Sequence, residues 1–168
     1  MTDNHVFIGG AGSEVGRAFF WRPSDQPDMR ITTARLILRF GLHPAPELAA
    51  ALDRWLEELS PDDAFHILDL AYHENRICPW HATQFCCDPT HVRHAPLLTM
   101  RGVELMMSLP PEWKRSSRLG AAMIEKAWPE LARYPYNTLG PLRDGFIKLQ
   151  RALNNPRLVL TKLRRLRG

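Results

Sequence analysis

Cysteine is scarce in this sequence and poorly placed for a disulfide framework: Cys78, Cys86 and Cys87 are odd in number and two are adjacent. That excludes a stapled secreted scaffold and fits a reducing compartment. No run approaches the roughly 18 uninterrupted apolar residues of a membrane span, so none is expected. Met1-Thr2-Asp3-Asn4-His5 does not lead a positive n-region into a long apolar segment, so no secretion signal is expected and the expected location is the cytoplasm. Internal repeats are absent, and only one stretch reads as a strand, which argues against a solenoid or a complete doubly wound sheet. Acid is missing from the last dozen residues, where Arg157, Lys162, Arg164, Arg165 and Arg167 lie. Those five account for the basic balance, a net charge of +4. The remainder is nearly neutral, which suits a local patch for an anion or acidic partner, and nucleic-acid binding is not expected.

What is present is a chain of 168 residues, 45% hydrophobic and 24% charged, the composition of one globular domain or part of a larger one. The expected organisation is a domain over residues 1–155 followed by a basic helix or tail over 156–168. Val6-Phe7-Ile8 reads as a short strand, Gly9-Gly10-Ala11-Gly12 as a turn, and Ser13 to Trp21 as a helix. Glycines permit close backbone approach, and a helix start offers free N–H groups and a positive dipole end, so such a turn can hold phosphate.

Helices dominate the rest. Thr32 or Thr33 caps one through Phe40, stopped by Gly41 and Pro44, and Pro46 starts a second with Leu48, Leu52, Trp55, Leu56 and Leu59 on one face. Ser60-Pro61-Asp62-Asp63 predicts a third, running to about Ile77 and closed by Pro79. Trp80 to Leu98 shows no period and reads as a long loop. Thr99 caps a helix over Met100 to Leu109, ended by Pro110-Pro111, and Ser116 or Ser117 opens another to Ala127. Two last helical segments are expected over Pro141 to Asn154 and Arg157 to Leu166. The expected fold is mainly α, a helical bundle appended to one short strand and a glycine turn.

Three constellations carry possible chemistry. Gly10-x-Gly12-x-x-x-Gly16 follows a strand as a dinucleotide fingerprint does, but no second strand with a ribose-binding acid follows, and Asp25 and Asp28 sit in a proline-bearing loop. Cys78, His81, Cys86 and His91 have zinc-binding side chains in a spacing that matches no standard finger; half-buried thiols and surface histidines are the expected state, and no metal site is assigned. Glu14 either satisfies a helix start or holds Mg²⁺ and phosphate. Trp55, Trp80, Trp113 and Trp128 read as core, and Lys114 and Lys126 as surface residues.

Taken in order, several segments resemble the C-terminal part of the asparagine synthetase family. Gly9-Gly10-Ala11-Gly12-Ser13-Glu14, with Arg17 and Phe19-Phe20-Trp21, resembles that family's Gly-x-Gly-x-Asp-Glu turn, with Ser13 where aspartate is usual. Tyr72-x-Glu74-x-Arg76-x-x-x-Trp80, the Ala95 to Leu105 segment closing in Leu109-Pro110, and Trp128-Pro129-Glu130-Leu131 resemble later motifs in the same order. The resemblance spans most of residues 6–140 and implies a partial α/β ATP-pyrophosphatase-like synthetase domain. It also implies ATP and Mg²⁺ as cofactors, with Glu14 catalytic and Gly9, Gly10, Gly12 and Ser13 binding the cofactor. The family's Ser-Gly-Gly-x-Asp-Ser loop, its glutamine-hydrolysing N-terminal cysteine and its catalytic lysine motif do not occur in these residues. The expectation is therefore a truncated, split or degenerate relative, inactive alone as an amide ligase. It would complete a site with a second polypeptide that supplies the missing loop, or as a homo-oligomer. The alternatives are a non-enzymatic interaction module and, behind it, a small zinc- or nucleotide-binding protein.

Overall fold

The computed structural model describes residues 6–59, 63–87 and 92–134. The expected Ser60 cap, His91, the two C-terminal helical segments and the basic tail lie outside them. The chain divides into two units, Met1–Gly120 and Ala121–Gly168.

The first unit opens with β1 (Val6–Ile8), which pairs in parallel with β2 (Val92–His94), Phe7 opposite Arg93. Gly9 extends the ladder by donating to the His94 carbonyl at 2.8 Å. β2 falls where the sequence reads as a loop. Three residues with one apolar member have no pattern of their own, and the strand exists through its non-local partner.

The chain between Ser13 and Trp21 also differs from expectation. It is a run of turns with one 3₁₀ turn at Val15–Arg17, ended by Ala18 in the left-handed region at φ 54°. Ala18 breaks the ladder that a helix would continue, and the reversal turns Phe20 and Trp21 toward the core. Phe20 meets Tyr72 edge-on at 5.0 Å, and Trp21 stacks on Phe65 at 4.0 Å. Burial of two large aromatics outweighs helix propensity in a short segment interrupted by Gly16.

α1 (Thr33–Phe40) starts where expected: the Thr32 hydroxyl accepts from the Arg35 N–H, and Gly41 ends the helix with a left-handed φ of 70°. α2 (Pro46–Glu58) begins at its proline. α3 (Ala64–Tyr72) is capped by Asp63, whose carboxylate accepts from the N–H groups of Phe65 and His66 at 2.7 and 2.9 Å. Pro79 does not close this helix. A π-helical segment, His73–Ile77, widens the ladder and leads into α4 (Cys78–Cys87), which carries Pro79 in its first turn. Proline has no N–H and its ring collides with the carbonyl four residues back; a wider turn ahead of it accommodates both.

α5 (Met100–Met107) is capped by the Thr99 hydroxyl, which accepts from Gly102 N–H at 3.1 Å. α6 (Pro111–Arg115) uses the expected helix stopper as its own first residue. Ser117, at φ 54°, separates it from α7 (Arg118–Ala127). In the second unit α7 ends and Pro129–Arg133 forms a 3₁₀ turn. The core joins Val15 and Phe20 to α1 through Leu36 and Ile37, to α3 through Leu68, Ala71 and Tyr72, and to α5 through Val103 and Met106. The chain is thus mainly α, with one parallel strand pair among the described residues.

Candidate functional site

Parallel strands end on the same side, and here both end at a cleft of about 520 Å³. Gly9, Gly10 and Glu14 form one wall, and Arg93 and His94 from β2 extend it. The opposite wall is the continuous α3, π and α4 segment, which presents Tyr72, Arg76, Trp80 and Gln84. Four-residue spacing holds those side chains on one face across the π turn. Phe7 and Phe19 complete the apolar part.

The charges differ in their surroundings. Glu14 Oε1 accepts from Arg17 Nη2 at 3.4 Å, while Glu14 Oε2 is buried with no hydrogen-bond partner. The Tyr72 hydroxyl is pushed up to about 12, first by burial and then by the Glu14 carboxylate, against the pull of Arg17 and Arg76. It stays protonated at neutral pH and serves as a hydrogen-bond donor, not a base. Arg93 lies over the Phe7 ring at 5.2 Å. The site can therefore receive an anion at its guanidinium groups and a planar group against its rings.

The sequence-nominated residues separate here. Gly9, Gly10 and Glu14 line the cleft. Gly12 packs away from it, at φ 96°, where an added Cβ would sit 2.8 Å from Leu98 and 3.2 Å from the Leu97 carbonyl oxygen. Ser13 N–H donates to the Gly10 carbonyl at 3.4 Å, closing the turn. The short 3₁₀ turn that follows offers no helix start for a phosphate. Glu74 turns from the cleft and accepts from Trp55 Nε1 at 2.8 Å. Trp80, read as core, is half exposed at the cleft.

Arg93 and His94 were not legible as site residues, since only the pairing of β2 with β1 brings them there. No three His, Cys, Asp or Glu among the described residues converge as metal ligands.

No family model, curated protein or solved structure matches the chain.

Because Gly12 is both left-handed and crowded, Gly12→Ala is expected to cost roughly 1–3 kcal/mol. Gly10 has nothing within 4 Å of an added Cβ, so Gly10→Ala should stay within about 0.5 kcal/mol. Urea denaturation of the two variants checks this, and equal midpoints would remove the structural role assigned to Gly12.

Proposed function

We propose that this chain is a split, truncated or degenerate relative of the asparagine synthetases that contributes one wall of an ATP site and is inactive alone as an amide ligase. One observation carries the reading. The glycine turn and the Tyr72–Arg76–Trp80 helix, two of the motifs that bear the resemblance, line a single cleft at the carboxyl ends of parallel strands. Open α/β sheets bind their ligands at that end.

The residues present fit part of such a ligand. Arg76 and Arg93 suit phosphate oxygens, Tyr72 can donate to one of them, and Trp80 and Phe19 offer faces to a base. Among the described residues Glu14 is the one carboxylate in the lining, so Mg²⁺ there would lean on phosphate and water oxygens for most of its coordination. ATP and Mg²⁺ supply the activation of a carboxylate with release of pyrophosphate. This chain's own residues orient the nucleotide, and the phosphate-binding loop comes from elsewhere.

Purified chain should release no pyrophosphate from ATP, yet bind Mg·ATP in a titration followed by calorimetry. Arg76→Ala should weaken that binding about tenfold, the size of one charge-assisted contact. ATP-dependent pyrophosphate release that disappears in Glu14→Gln would overturn the assigned inactivity. Absence of any ATP affinity would remove the nucleotide site.

A second reading, a protein-interaction module, is favoured by the strand pair. Val6, Phe7, Ile8 and Val92 are all more than half exposed, whereas parallel strands are ordinarily covered on both faces.

A further inference from the structure

Glu14 brings to the cleft a carboxylate that is paired through one oxygen only. Oε1 accepts from Arg17 Nη2 at 3.4 Å, and Oε2 has no hydrogen-bond partner among the described residues. We infer that the cleft binds an aromatic zwitterion, a small molecule whose ammonium pairs with Glu14, whose carboxylate pairs with Arg76 and whose ring lies against Trp80. The inference does not rest on the nucleotide reading: it puts an ammonium at Glu14 where that reading puts Mg²⁺, and it needs no ATP.

The charges select this class of ligand. A buried carboxylate oxygen without a donor is costly, and such a group in a cleft is one that a ligand can satisfy. Arg17 does not reach it, since Arg17 Nε is itself buried without a partner. The Glu14 side chain is 21% exposed, and the last torsion of a glutamate is soft, so a rotation of the carboxylate presents the spare oxygen to the cleft. Arg76, across the cleft, is exposed and forms no ion pair with Glu14 among the described residues. Both nevertheless act on the Tyr72 hydroxyl, which burial and then Glu14 push up while Arg17 and Arg76 pull it down. A carboxylate and a guanidinium thus stand near one hydroxyl without meeting. An anion alone would be repelled by Glu14, and a cation alone by Arg76. A zwitterion pairs with both.

The ring has a seat of its own. Trp80 is 50% exposed and Phe19 54%, and both line the cleft, so large apolar faces stand uncovered in a concave site. Phe19 and Glu14 are fixed to each other, because the Phe19 N–H donates to the Glu14 carbonyl at 3.3 Å and the Phe19 ring packs on Tyr72 at 4.9 Å. Tyr72, Arg76 and Trp80 follow at four-residue spacing on the opposite wall. Acid, guanidinium and rings are therefore set before a ligand arrives, which lowers the cost of ordering them.

The protein is titrated by calorimetry, without ATP or Mg²⁺, with L-phenylalanine and with analogues that each lack one feature: phenylpropionate the ammonium, phenethylamine the carboxylate and L-alanine the ring. L-Phenylalanine should bind, and each analogue should bind at least about tenfold more weakly, the size of one charge-assisted contact or one buried ring. Glu14→Gln should weaken L-phenylalanine about tenfold and leave phenylpropionate unchanged, whereas Arg76→Ala should weaken L-phenylalanine by a similar factor and leave phenethylamine unchanged. Absence of L-phenylalanine binding at millimolar concentrations, an analogue that binds as tightly, or equal loss of L-phenylalanine and phenylpropionate in Glu14→Gln would overturn the proposal. Because these titrations contain no nucleotide, their failure is distinct from a failure to bind Mg·ATP.

Discussion

Lys114→Met should lower stability by roughly 3–5 kcal/mol, although it keeps most of the side chain's apolar volume. Lys114 is 3% exposed. Its ammonium donates to Asp69 Oδ2 at 2.5 Å and to the Met107 carbonyl at 2.9 Å, and it lies over the Trp21 ring at 5.5 Å. Trp21 Nε1 donates to the other Asp69 oxygen at 2.9 Å. Methionine would leave the Asp69 carboxylate buried with the indole N–H as its remaining partner. The cost arises from that orphaned charge, so the double variant Asp69→Asn with Lys114→Met should recover most of it. Additive losses in a urea double-mutant cycle would mean that the two residues act separately.

The same pair predicts a pH dependence with a definite sign. Asp69 is pushed up to about 6 by burial, with Lys114 and Trp21 pulling it back down. A folded-state value above the unfolded one means that the folded protein holds this proton more tightly. Its contribution to stability is then fully present below the unfolded value, near 3.8, and is lost as pH rises through 6. Removing Lys114 raises the carboxyl further, which extends the loss to higher pH. The gap between the wild type and Lys114→Met should therefore widen from pH 5 to pH 8. A gap that narrows over this range would place the effect in packing rather than in charge.

Features written in local chemistry were legible, and those made by distant partners were not. Thr32, Thr99 and Pro46 open their helices as read, because a hydroxyl cap or a proline in the first turn acts within a few residues. Lys114 sits among Pro110, Glu112, Arg115 and Ser116, a segment that reads as wet surface; its burial depends on Asp69, 45 residues earlier. The helix expected from Ser13 gave way to turns because Phe20 and Trp21 each pack on a distant aromatic of α3, Tyr72 and Phe65, that a local pattern does not contain. The cleft follows the same rule. Gly9, Gly10 and Glu14 were nominated from one contiguous stretch, whereas Arg93 and His94 arrive through parallel pairing across more than 80 residues.

Asp25→Ala carries the other large expected loss, again roughly 3–5 kcal/mol, from a loop whose composition suggested plain surface. Asp25 is 2% exposed and receives both carboxylate contacts from Arg39 Nη2, at 2.7 and 2.8 Å, with the Arg22 N–H at 2.6 Å. Arg39 Nη1 also donates to the Phe20 carbonyl at 2.6 Å, and Arg115 Nη2 to the Asp25 carbonyl at 2.9 Å. One carboxylate thus fastens the 22–30 loop to α1 and, through Arg39, holds the backbone beside Phe19, a cleft residue. Alanine would strand the Arg39 guanidinium in a site where burial already lowers its pKa. Arg39→Lys should cost less than Asp25→Ala, since an ammonium keeps the charge but cannot donate to Asp25 and to Phe20 through two separate nitrogens. Asp25→Ala should also weaken binding in the cleft while Arg39→Lys changes it less, because the lysine still pairs with the carboxylate. Urea midpoints set against Mg·ATP titrations of the two variants test the ordering. Equal stabilities, or full cleft affinity in Asp25→Ala, would separate this buried pair from the site it is argued to hold in place.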